Sequence, residues 1–266
     1  MTDTLPPHGP IACRACWTDP ASHVHTTSDR KFRIVNDPGA WGSTRPEILV
    51  LGISKGFTQA DAYEKGNFDA VPFKGCRSRL RQSLAAIGVM DSNADIDAAM
   101  SRREQRYGWG SLVRCSLSGW NAKKQVYGAG TPEVLPAFEH PEAGRFVDGC
   151  MRRFLGRLPD TTRIVVLLGN ADAYVESFAE RLRRLHPQTY RRLNPVAHST
   201  GVGDTGQALW VHAAHPSPGN GHFTAFINGA AESKQGAKRE CAKGAVAQWS
   251  GGRRPADQAA AAPPDK

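Results

Sequence analysis

The chain has 266 residues, 40% of them hydrophobic, which supplies one sizeable globular core and excludes a wholly disordered polypeptide. Its formal net charge of +9 favours a polyanionic partner, because Lys and Arg displace counterions from phosphates. No run is apolar enough to span a bilayer, and MTDTLPPHGP lacks the basic start and apolar stretch of a secretory signal, so the expected setting is cytoplasmic and away from membranes.

Residues 1–45 are rich in Pro, His, Asp and Cys and show little periodicity, which predicts an irregular wrap around the core. EILVLG (47–52) is a compact apolar run stopped by glycine, the pattern of a strand buried on both faces. A helical pattern follows at 76–88, and SLVRC (111–115) predicts a second strand. A helix is expected over 142–157, then a third strand at RIVVLLG (163–169). The segment 171–185 spaces Tyr174, Phe178, Leu182 and Leu185 three or four apart, one apolar helical stripe. QALWVHAAH (207–215) predicts a fourth strand, and the residues from about 250 to 266 predict a disordered tail.

Strand–helix alternation predicts an α/β fold: a three-layer α/β/α sandwich around a central, mainly parallel four-stranded sheet, over about 46–235. Ligands of such sheets bind beyond the carboxyl ends of the strands. Here those ends run into GISKG (52–56), Cys115, Gly169–Asn170 and HPSP (215–218), so a site is expected on that rim.

Six cysteines in a reducing compartment read as thiols or metal ligands rather than disulfides. Cys13 and Cys16 form a C-x-x-C pair, Cys115 closes the second predicted strand, and Cys150 lies on the helix before the third. Four thiolates can hold a zinc ion or an iron–sulfur cluster, and spacing alone leaves buried free thiols as the alternative. Cys76 and Cys241 have no evident partners and read as packing residues.

The order of these features, over roughly residues 10–230, resembles the iron–sulfur class of uracil-DNA glycosylases: a C-x-x-C, a G-x-x-x-G loop, VPFKG (71–75), the two further cysteines, a strand ending in leucine-glycine and a strand ending in histidine-proline. The resemblance implies a DNA-repair hydrolase, a monomer that extrudes uracil or another damaged base and cleaves its N-glycosidic bond. It implies a 4Fe-4S cluster on Cys13, Cys16, Cys115 and Cys150, with zinc as the alternative. It makes His215 the donor to the departing base, with Ser217 against DNA phosphate. Phe73 would stack on the base or else pack in the core, and Ser111 and Asn170 would read the base edge. Lys55 and Arg114 would contact phosphate. His222 and Phe223 would either wedge into the duplex or start a helix, and the basic run 181–192 reads as a solvated helix face.

The first loop departs from that pattern. Ile53 stands where the class carries a glutamate, and GISKG is similar to the Gly-Ile-Asn-Pro-Gly loop of the mismatch-specific relatives, with Ser54 in place of the asparagine that holds water. A serine positions water but is a poor base. The departures imply slow or redirected excision, or a catalytically silent nucleic-acid-binding relative. The long connection from Cys115 to Cys150 implies an insertion around 118–140.

Overall fold

The computed structural model describes residues 4–250 apart from 18, 20, 66, 67 and 203–205; the tail expected beyond residue 250 lies outside the described residues. Twelve strands occur among them: β1 (Gly9–Pro10), β2 (Val24–Thr26), β3 (Phe32–Val35), β4 (Gly39–Gly42), β5 (Ile48–Gly52), β6 (Tyr107–Ser111), β7 (Ser116–Asn121), β8 (Val126–Gly128), β9 (Ile164–Leu168), β10 (Arg191–Asn194), β11 (Ala197–Val202) and β12 (Gly206–Ala213). The α-helices are α1 (Phe57–Glu64), α2 (Arg77–Ala86), α3 (Thr131–Val134), α4 (Ala143–Leu155), α5 (Asp172–Leu185), α6 (Phe223–Asn228) and α7 (Lys234–Ser250).

The expected four-stranded sandwich is corrected. The main sheet has eight strands in the order β1-β4-β6-β5-β9-β12-β11-β10, and a separate four-stranded sheet runs β2-β3-β7-β8. The pairs β6–β5, β5–β9 and β9–β12 are parallel; β1, β4, β11 and β10 extend both edges antiparallel, and the second sheet is wholly antiparallel. The reason is chemical. The flanking strands carry no aliphatic run to announce them: RRLN is an exposed edge, and GAWG and AHSTGV, though buried, are built of small and polar residues with one tryptophan. The wrap of residues 1–45 is also more regular than expected, since it contributes β1 to β4.

The predicted strand SLVRC is displaced. β6 is YGWGS and ends at Ser111, and residues 112–115 form the connection to β7. Leu112 and Val113 still donate backbone hydrogen bonds to the carbonyls of Gly52 and Ile53, so the segment tracks the first loop without continuing the ladder.

Alternation along β5 and β9 divides the core in two. Ile48, Val50, Ile164 and Val166 pack with residues of α2, α6 and α7, while Leu49, Leu51, Val165 and Leu167 pack with α4, α5 and the inner face of the second sheet. The stripe on α5 buries Tyr174, Phe178 and Leu182 as expected. α7 carries the domain beyond residue 235, to 250. Its buried side is built largely from Ala242, Ala245 and Val246, too small to register as a stripe.

Candidate functional site

The carboxyl ends of β5, β6 and β9 and the loop after β12 open onto one cleft of about 930 Å³. Ser54, Phe73, Ser111, Asn170, His215 and Ser217 all line it. They come from five separate stretches of chain, and the parallel strands bring them to one rim. A cleft of this size accommodates a small ligand or an extruded nucleotide.

His215 follows β12, and α2 holds its loop in place. Ser83 Oγ donates to the Ala214 carbonyl at 2.7 Å, and Arg79 Nε donates to the Pro216 carbonyl at 2.8 Å. The Arg79 guanidinium lies 3.8 Å from the centroid of the Phe223 ring. Phe223 is thereby buried at the start of α6, whereas His222 is exposed on the cleft wall. Asn220 closes the turn from its Nδ2 to the His215 carbonyl at 2.8 Å. The imidazole Nδ1 accepts the Ser217 backbone N–H at 3.1 Å, and burial lowers its pKa to about 4. At neutral pH the ring is therefore uncharged with its proton on Nε2, a hydrogen-bond donor.

Phe73 occupies a left-handed backbone conformation (φ 52°), a strained state for a bulky residue. Its ring packs edge-on to Trp109, 6.1 Å between centroids, as the core reading expected, and it also lines the cleft. Gly169 has φ 139°, and a Cβ there would lie 2.7 Å from the Tyr174 ring. That close approach lets the chain turn sharply from β9 to Asn170. Asn170 Nδ2 donates to Gln235 Oε1 at 2.7 Å, which orients its amide. Ser54 Oγ donates to the Leu117 carbonyl at 3.3 Å, leaving its lone pairs as acceptors. Ile53 is buried in the apolar core and also lines the cleft, where it offers only hydrocarbon. Among the described residues, the cleft lining contains no Asp or Glu. Gln59, on α1, lines the cleft too; it escaped sequence reasoning because no motif includes it.

Two expected phosphate contacts are corrected. Lys55 is 2% exposed; its Nζ donates to the Arg114 carbonyl at 2.8 Å and pairs with Asp37 Oδ1 at 3.0 Å. Asp37 also accepts from the Ser116 backbone N–H and hydroxyl, so Lys55 ties the first loop to β7. Arg114 is 1% exposed and points inward. The basic run expected as one solvated helix face is also corrected: Arg181, Arg183 and Arg184 lie on α5 but Arg191 and Arg192 on β10, and Arg181 is buried, pairing with Glu139 and Asp148, while Arg183 pairs with Glu180 and Arg192 with Glu176.

Cys13, Cys16, Cys115 and Cys150 line a second, small cavity. The Cys150 thiol donates to Cys16, whose own pKa falls to about 7 chiefly for that reason, while burial pushes Cys115 up to about 12. The backbone N–H of Arg114 bonds Cys150. Among the described residues, no three His, Cys, Asp or Glu side chains converge closely enough to share one ion; the thiols ring a space instead.

The Arg114 guanidinium forms part of that cavity's wall. Burial lowers its pKa to about 10, still charged at neutral pH. It has no carboxylate partner among the described residues, its Nε has no hydrogen-bond partner, and its contacts are the Trp109 carbonyl at 3.5 Å and the Phe154 ring at 5.3 Å. A Cβ at Gly110 would overlap it, so glycine there is what admits the cation. An isolated buried cation is costly unless a negative charge sits nearby. Four thiolates around an inorganic centre supply that charge, and the donor set therefore fits such a group.

Searched against known families, the chain matches no family model, and no curated protein matches it.

Proposed function

We propose that the protein is a DNA glycosylase that excises uracil or another deaminated or damaged base, with a 4Fe-4S cluster held by Cys13, Cys16, Cys115 and Cys150. The observation that carries this reading is the gathering of His215, Ser217, Phe73, Ser111, Asn170 and Ser54 on one cleft, with an uncharged His215 whose Nε2–H is free to donate. Cys13, Cys16, Cys115 and Cys150 would hold the group, and four thiolates would suit an iron–sulfur cluster or, as the alternative, zinc. When bound, the cluster supplies a structural cross-link between the wrap, β7's approach and α4.

The base leaves the stack and enters the cleft against Phe73. Ser111 and Asn170 present polar groups to its edge, and Ser217 and the Pro-Gly turn contact the flanking phosphates. As the glycosidic bond breaks, the sugar becomes positive and the departing base negative. His215 Nε2 donates to the base oxygen without giving up its proton, stabilising that charge as it develops. Ser54 Oγ accepts from the incoming water. With no carboxylate on the lining to activate that water, bases that depart as stable anions are the favoured substrates.

Oligonucleotides carrying uracil, hypoxanthine or a mismatch test the reading. Cleavage of at least one is expected, and His215→Ala should lower it by about 10²–10³-fold with the fold retained. Unchanged cleavage in that variant removes His215 from the site. Binding without cleavage of any substrate favours the second reading, a silent nucleic-acid-binding relative, to which Ile53 in the apolar core and the carboxylate-free lining both point.

A further inference from the structure

We propose that the outer face of the small sheet is a second nucleic-acid contact, a platform for a single strand running outside the cleft. It rests on the nucleic-acid part of the reading above and not on base excision. The strand register places Val24 and Thr26 (β2), Arg33 and Val35 (β3), Ser116, Ser118 and Trp120 (β7) and Tyr127 (β8) on that face; Ser116 and Ser118 are buried there, so on β7 the open part is the Trp120 end. The opposite face is closed: Phe32, Ile34 and Leu117 are buried in the core, and α3 packs on Gly119 and Gly128.

Three observations say what the open face takes. Among the described residues, two of the three exposed large hydrophobics, Val24 (42%) and Trp120 (41%), lie on this face, while the third, Val126 (51%), alternates to the opposite face of β8. Trp120 presents a partly exposed indole, an amphipathic ring suited to stacking on a flat partner. Trp120 and Tyr127 are direct cross-strand partners with ring centroids 5.2 Å apart, an aromatic pair on which bases can stack.

Cations surround that pair. The Trp120 backbone N–H bonds the carbonyl of Lys31, whose side chain is exposed, Arg33 is exposed on the adjacent strand, and Lys123 and Lys124 form the exposed β7–β8 turn. Only Lys31 shows an ion pair, with Asp29 at 3.3 Å. An aromatic pair flanked by the exposed Arg33, Lys123 and Lys124, with Lys31 paired to Asp29, complements a strand that offers both bases and phosphates. β8 ends at Gly128 and the chain passes directly into Ala129, Gly130, Thr131 and Pro132 on the cleft wall, so platform and cleft share one stretch of chain.

The test is fluorescence anisotropy of the full chain with an undamaged, labelled oligothymidylate, titrated at several salt concentrations. Trp120→Ala should weaken binding roughly tenfold, and Trp120→Phe should restore most of it. Replacing Lys123 and Lys124 with Ala should flatten the salt dependence by about two units of slope. Wild-type affinity and slope in all three variants would overturn the proposal. So would Trp120→Ala losing affinity for an acidic peptide or for anionic vesicles but not for the oligonucleotide. Since no cleavage is read, an inactive protein with a Trp120-dependent affinity refutes the glycosylase and leaves the platform standing. An active one with Trp120-independent affinity does the reverse.

Discussion

The cleft and the thiol cavity handle charge in opposite ways. Around His215 the cleft presents neutral donors and acceptors, an uncharged imidazole, serine hydroxyls and an amide already oriented by Gln235, with Lys55 and Lys74 also on its lining. The thiol cavity concentrates charge, with Arg114 buried in its wall and no carboxylate to meet it. Neutral preorganised groups suit a reaction whose charge appears only in the transition state. A permanent buried cation suits a permanent anion. On the proposed reading the cleft would carry the chemistry and the thiol cavity a structural centre.

Removing one thiol should break this contrast most severely. Cys150→Ser is expected to lose the bound iron and sulfide and to strand Arg114 without its counter-charge, at a cost of about 3–5 kcal/mol, the range for breaking a buried charge pair. Metal and sulfide analysis with thermal unfolding checks it; full stability without metal would remove the centre. Zinc in place of iron would keep the structural role and change the group.

Arg114→Met sharpens the same point by its sign. Without an anion in the cavity, replacing a buried cation by an apolar side chain of similar length should leave stability unchanged or raise it by about 1–4 kcal/mol. With the anionic centre present, stability and metal content should both fall. Chemical denaturation of the metal-loaded protein separates the two outcomes.

A further effect, spread over three rings rather than one site, is in pH. His215 and His198 have pKa values lowered to about 4 and His212 to about 3, each chiefly by burial. The unfolded chain binds protons on these rings below their ordinary value of about 6.5 and the folded chain does not. Stability is therefore complete above that pH and falls as pH drops towards 4, by up to about 1.4 kcal/mol per unit for each ring. Excision, by contrast, should stay flat through the neutral range, because His215 is already neutral there. A decline in cleavage centred near pH 6.5 would contradict the uncharged donor.

Much of the rim was legible because its signals are local. ILVLG and IVVLL announce strands covered on both faces, and the residues that follow them must emerge at one end of a parallel sheet. The same reasoning misplaced the second strand. In YGWGS the glycines give way to Pro46 and to the Arg114 guanidinium, distant in sequence or hidden inside the fold, so the strand carries no aliphatic signature. The small sheet was invisible for a related reason: its outer face is polar and aromatic, and its inner face is completed by α3 and the main core.

The sequence by itself determined the buried parallel strands, the amphipathic α5 stripe, and which loops carry serine, asparagine and histidine, since each depends on neighbours within a few residues. Only the tertiary structure decided where charge resides. Lys55 and Arg114 read as surface cations until the fold buries one against Asp37 and the other beside four thiols, because burial depends on what distant segments cover and not on the side chain's own chemistry.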